Sequence, residues 1–231
     1  MSKLHITILY IFFVFSLLLY GCGGGNASKQ SENSEAFDSV TLSAYSGNTS
    51  IGVTHSVKDY QEWLKIYSST ADPESRISIY TNPEDPNVIT VFELTKSHDE
   101  AKNLFNADGL KEGMTLAGVS STPVVRFYDI KYFATGKTDK MYCIILSHAV
   151  ADYAIWKKFF DEDEPIHNEA GLDLLSISTN AEDPNIVNVM FATNDVKKAK
   201  DLINSSDLKK RMTESGVQSE PILTVLKTTK E

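Results

Sequence analysis

The sequence predicts an α+β protein made of two tandem β-α-β-β-α-β units packed sheet to sheet, on three observations. First, His55-Ser-Val-Lys-Asp-Tyr-Gln-Glu-Trp63 returns as His148-Ala-Val-Ala-Asp-Tyr-Ala-Ile-Trp156, at an offset of 93. Second, Asn82-Pro-Glu-Asp-Pro-Asn87 returns as Asn180-Ala-Glu-Asp-Pro-Asn185, and Leu110-Lys111, Met114, Gly118-Val119 and Pro123 return as Leu208-Lys209, Met212, Gly216-Val217 and Pro221, at an offset of 98. Third, the apolar spacing in each copy switches between strand-like runs and helical steps in the same order. Two copies of a period near ninety-five are too long for a solenoid unit and too few for an array, so they are two domains of one kind.

Taken from the amino terminus, Lys3 precedes an apolar run from Ile6 to Leu19 that closes on Leu19-Tyr20-Gly21-Cys22. A charged start, a short apolar core and a small residue before the cut are the parts of a secretory signal. With Cys22 after the cut, the segment resembles a bacterial lipoprotein signal, in which the cysteine carries the lipid (palmitate or a similar acyl chain). The alternative is an uncleaved membrane helix, but Gly23-Gly24-Gly25 suits processing better than a stop-transfer flank. The expected layout is therefore a signal peptide at 1–21, a lipidated Cys22 with a flexible tether at 22–49, and repeats at 50–136 and 137–231. The Gly-, Ser- and Asn-rich tether has a random-coil reach of about 30 Å, and Val40 to Tyr45 alternates as a short extra strand would.

Within the first copy, Ile51 to His55 has strand composition. Val57, Tyr60, Trp63 and Tyr67 then recur at helical spacing, with Asp59 as N-cap and Glu62 three residues on. Ile77–Thr81 and Val88–Leu94 are strands around the turn Asp85-Pro86-Asn87, where proline fixes φ and the flanking Asp and Asn fold back on the backbone. Ser97-His-Asp-Glu100 opens a second helix with Ala101, Leu104 and Phe105 on one face. A short helix through Leu110 and Met114 ends at Gly118, and Val124 to Tyr128 closes the copy as a strand. The second copy repeats this from Cys143 to Leu226, with Val150, Tyr153, Trp156 and Phe160 as the helical stripe and five extra residues before its second strand.

This order is the split βαβ arrangement of ferredoxin-like domains. One sheet face is left uncovered by helices, so the two copies are expected to cover each other's sheets, pairing within the chain. The combination His-x-Val-x-Asp-Tyr-x-x-Trp, Glu-Asp-Pro-Asn before a strand, and Leu-Lys before Gly-Val resembles the dimeric α/β-barrel superfamily, near the antibiotic biosynthesis monooxygenase-like domains. The resemblance covers Ile51 to about Thr228 and rests on helix core, turn and cap residues. It implies a cavity between sheet and helices or between the two sheets, where some relatives oxidise polycyclic substrates without a cofactor and others bind haem. It supplies no catalytic set.

Lys and Arg total 22 against 31 Asp and Glu, which argues against a nucleic-acid partner. Two cysteines exclude a disulfide scaffold, and no phosphate loop, catalytic-triad signature or His-Glu-x-x-His occurs. No cofactor and no metal are expected. His55 and His148 each join a strand to a helix. They are candidate bases, although imidazoles bonded to nearby backbone are the expected state. His148, Tyr153, Trp156 and His167 are the candidate ligand-pocket residues. The acidic run around His167 is expected to be a solvated helix end, the aromatic stripes core, and Cys143 buried and inert. Functionally, the expected protein is a membrane-anchored, extracytoplasmic lipoprotein, in the outer membrane if the cell has one. Its barrel binds a small apolar ligand or serves as a scaffold. The alternative is a cofactor-independent monooxygenase-like enzyme with His148 as base.

Overall fold

A computed structural model describes residues 49–71, 77–134 and 138–229. The expected signal peptide, Cys22, nearly all of the tether and the Val40–Tyr45 strand lie outside the described residues. The first half runs β1 (Thr49–Ser56), α1 (Tyr60–Thr70), β2 (Ile77–Thr81), β3 (Val88–Thr95), α2 (His98–Phe105), α3 (Leu110–Leu116) and β4 (Val124–Phe133). The second runs β5 (Tyr142–Ala149), α4 (Tyr153–Glu162), α5 (Glu164–Glu169), β6 (Asp173–Asn180), β7 (Ile186–Thr193), α6 (Val196–Ile203), α7 (Ser206–Glu214) and β8 (Ile222–Thr228).

Local chemistry sets the element starts. Asp59 and Asp152 accept from the backbone N–H of Glu62 and Ile155, each at 2.9 Å, which satisfies a donor that the first helical turn leaves open. Ser97 caps α2 in the same way at 3.1 Å. Glu100 there reaches back to the N–H of Lys96, one residue outside the usual capping-box target. Gly118 and Gly216, at φ 77° and 85°, end α3 and α7 in the left-handed region that glycine enters without steric cost.

All eight strands join one closed antiparallel barrel in the order β1-β3-β2-β8-β5-β7-β6-β4. Each half contributes a sheet of the ferredoxin-like order, 4-1-3-2, so the α+β class and the intramolecular dimeric α/β barrel are both present. The two sheets face each other and are also joined edge to edge. The β4–β6 seam has five register pairs, from Tyr128↔Asn180 to Phe133↔Ser176, whereas the β2–β8 seam has two, Tyr80↔Thr228 and Thr81↔Lys227.

Strand alternation gives each sheet an outer, helix-covered face and an inner face. On the outer face of the second half, Ile144, Leu146, Val187, Val189 and Phe191 pack with Trp156, Ala199 and Ile203; Val57, Trp63, Ile89 and Val91 form the smaller counterpart in the first. On the inner face of the first half, rings pack on one another, with Tyr80–Phe92 centroids 6.1 Å and Phe92–Tyr128 centroids 6.2 Å apart. A Cβ at Gly52 would lie 2.9 Å from Phe92 Cε1 and 3.0 Å from Tyr128 Cε2, so only glycine lets both rings lie across β1.

Candidate functional site

The segment that is five residues longer in the second copy forms α5, opened by Pro165 in its first turn, where a missing N–H costs nothing. It carries His167 onto the outer face of the sheet. Between β5, β7 and helices α4 to α7 lies a cavity of about 50 Å3, lined by His148, Trp156, Phe160, Asp163, His167 and Phe191 among others. Three of the four expected pocket residues therefore meet. Tyr153 does not line the cavity and instead packs on Trp156, with ring centroids 5.7 Å apart. The cavity lies between the second sheet and its helices, one of the two places that the resemblance implies.

His148 is 5% exposed and lies against Trp156, with ring centroids 5.7 Å apart. Both of its ring nitrogens are buried without a hydrogen-bond partner, as are both of His55 in the first half. This corrects the expectation of imidazoles bonded to backbone. The strand–helix junction is tied instead by backbone bonds two and three residues on, from Val150 N–H to the Asn185 carbonyl at 2.9 Å and from Ala151 N–H to the Gly216 carbonyl at 2.9 Å, which leave the side chain uninvolved. Burial pushes the His148 pKa down to about 4 and lowers that of His55. Burial lowers that of His167 too, opposed by the nearby Asp163 and Glu164 carboxylates. A neutral imidazole presents one N–H donor and one acceptor, so His148 brings two unmet hydrogen-bonding needs to the cavity wall.

The acidic run is only partly solvated. Asp161, Glu162 and Glu164 are exposed, but Asp163 is 6% exposed and paired with the Arg211 guanidinium of α7. This pair, which the sequence reading missed, ties the α4–α5 junction to α7 at the rim of the cavity. No feature of the sequence marks Arg211 as its partner, because 48 residues separate the two. Phe160 and Phe191 bracket His167, each with its centroid 5.0 Å away. In the barrel, Cys143 is fully buried, accepts from the Tyr80 hydroxyl, and has its thiol pushed up to about 11, which removes its nucleophilic form at neutral pH.

Among the described residues no cluster of three His, Cys, Asp or Glu side chains is placed to hold a metal ion. Haem, which the sequence resemblance admits, does not fit the cavity. Sites for molecules of drug size run to about 300–1,000 Å3, and this one measures about 50 Å3.

Solved structures with this fold include a provisionally assigned monooxygenase from Fusobacterium nucleatum, 11% identical with a TM-score of 0.51, the match covering 80% of this chain and 93% of that one. An anthrone oxidase-like protein is 9% identical with a TM-score of 0.52, covering 79% and 91%. A provisionally assigned chlorite dismutase is 11% identical with a TM-score of 0.53, covering 79% and 94%. At such identities the likeness is one of fold. No protein-family model and no curated protein matches the chain.

Proposed function

We propose that the chain is a lipid-anchored, extracytoplasmic binding protein whose second half takes a small, mostly apolar ligand bearing one hydrogen-bonding group. One observation carries the reading: both His148 nitrogens lack a partner at the wall of a mostly aromatic and aliphatic cavity, whose other polar lining residues are Asp163, His167 and Ser215. A buried polar group left unpaired costs about 1–3 kcal/mol, and a ligand that pairs with it recovers that cost. Size limits the ligand. About 50 Å3 holds one or a few waters, against the roughly 150 Å3 of an apolar cavity that admits benzene. A larger ligand has to displace the half-buried Phe159 and Met212 in the lining. The anchor rests on the Leu19-Tyr20-Gly21-Cys22 signal.

The second reading is an enzyme, and the names of the fold's neighbours, a monooxygenase and an anthrone oxidase-like protein, motivate it. His148 as the base fits poorly. With its pKa at about 4, taking a proton from a phenol near pKa 10 is about 8 kcal/mol uphill. Extraction of small molecules from the purified native protein, followed by mass spectrometry, decides between the readings. A compound that co-purifies with the native chain, is lost in His148→Phe and is unchanged on release supports binding. Oxygen consumption with an aromatic substrate, abolished by the same variant, supports the enzyme. An empty native chain that also consumes no oxygen with such a substrate overturns both.

A further inference from the structure

Among the described residues, the unequal seams of the barrel leave part of one strand edge unpaired. With every pairing antiparallel, β4 and β8 run in the same direction, so both begin at one end of the barrel, where β1 and β5 finish. At that end β2 turns away from β8 after Thr81↔Lys227, into the hairpin turn that carries Glu84 and Asp85. Among the described residues, Ile222 to Leu226 therefore pairs with β5 on one side and with nothing on the other. The corresponding stretch of β4 is shorter, because β6 pairs up to Tyr128 and the Ala181 N–H then bonds to the Phe127 carbonyl at 3.0 Å.

Open strand edges invite pairing with another chain, and proteins usually block them with charge, proline or a bulge. In the first half Arg126 stands in the unpaired stretch, but its counterpart at the offset of 98 is Thr224. From Ile222 to Leu226 there is no charge, no proline and no break in register against β5. Leu223 packs into the helix-covered core, so Ile222 and Thr224 point to the inner face, where Ile222 is 68% exposed. Val124, on the inner face of β4 at the same end, is 48% exposed. The slot beside β8 is flanked by exposed Glu84, Asp85 and Glu220; of the nearby cations, Arg126 stands on β4 across the mouth, Lys58 follows the end of β1, and Lys227 lies at the inner end of the stretch, opposite Thr81.

We propose that this edge is a docking site for an extended, basic segment of another protein, one alternating Lys or Arg with β-branched residues, which adds as a strand along Ile222–Leu226. Main-chain bonds to the edge provide the attachment, and the flanking carboxylates select cationic side chains. The same carboxylates, repeated at Glu182 and Asp183 on the opposite hairpin turn, oppose a second copy of this chain as the occupant.

The test uses the chain from residue 22 onward carrying Cys22→Ser, with capped (Lys-Val)4 as probe. Hydrogen exchange at alternate amides of Ile222–Leu226 is expected to be fast in the free protein and at least ten-fold slower with the peptide. The probe should bind at least ten-fold more tightly than (Glu-Val)4, and Glu84→Lys with Glu220→Lys should remove most of that preference. Equal binding by (Lys-Val)4 N-methylated on alternate amides would reduce the contact to charge alone and overturn strand addition. Amides already slow in the free monomer would show that residues 22–48 of this chain fill the slot, and concentration-dependent self-association that protects them would show a second copy there. Either result overturns the proposal.

Discussion

A neutral imidazole held away from water at residue 148 makes stability depend on pH in a defined direction. Its folded pKa is about 4 against 6.5 for an unperturbed side chain. Above pH 6.5 neither state binds the proton and the group costs nothing by titration. As pH falls from 6.5 to about 4, the unfolded chain takes up a proton that the native chain refuses, so stability is lost through that window, by on the order of 3 kcal/mol. His55 and His167 are shifted in the same direction and add to the slope. Urea unfolding of the native chain between pH 7 and pH 4 should show this loss, and His148→Phe should remove about one proton from the slope while leaving stability at pH 7 equal or higher. An unchanged slope in the variant would mean that His148 is already charged or paired in the native protein. At residue 148 the sequence showed a histidine repeated at a strand–helix junction. It did not show that the imidazole lacks a partner, because that depends on which backbone groups neighbouring elements have already satisfied.

Single elements are held by contacts that sequence spacing does not reveal. The helix α5 is short and its isolated stability negligible, so its position depends on packing and on Asp163, whose carboxylate is buried against Arg211. Removing one partner of such a pair leaves an uncompensated buried charge. Arg211→Met is therefore expected to cost about 3 kcal/mol, with faster amide exchange in 164–172 than in β7, and Asp163→Asn in the same chain should recover part of the loss. On the inner face, Gly52→Ala places a methyl within 2.9 Å of the Phe92 ring. Overpacking of this kind costs about 1–3 kcal/mol, and Phe92→Leu in the Gly52→Ala background should restore most of it, as read by the urea midpoint. The repeat did announce the strands, caps and helical stripes, since Asp59, Asp152 and Ser97 cap where their spacing places them. A run of acids on a helix end ordinarily reads as a wet surface, and Asp163 departs from that pattern because its partner, Arg211, lies on another helix.

At the scale of the molecule, the period of the repeat was enough to expect two like units covering each other's sheets. The difference between a five-pair and a two-pair seam was not legible, because edge-to-edge pairing joins β2 to β8 and β4 to β6 across most of the chain. The overall charge bears on where such a barrel resides. No described helix is long and apolar enough to cross a membrane. Without residues 1–21, which include Lys3, 21 basic residues face 31 acidic ones and the net charge is 21 − 31 = −10. An anionic bilayer repels that surface, so the folded part supplies no electrostatic attachment and the lipid expected on Cys22 has to supply all of it. More than one acyl chain makes such attachment stable, whereas a single chain is marginal. The expected outcome is all-or-none. The native chain should label with radioactive palmitate and sediment with membranes in both low and high salt. Cys22→Ser should lose the label and, if the signal is still cut by other means, move wholly to the soluble fraction. Membrane sedimentation of a Cys22→Ser chain that retains residues 1–21 would identify the apolar run from Ile6 to Leu19 as an uncleaved anchor, and unlabelled native protein would exclude the lipid.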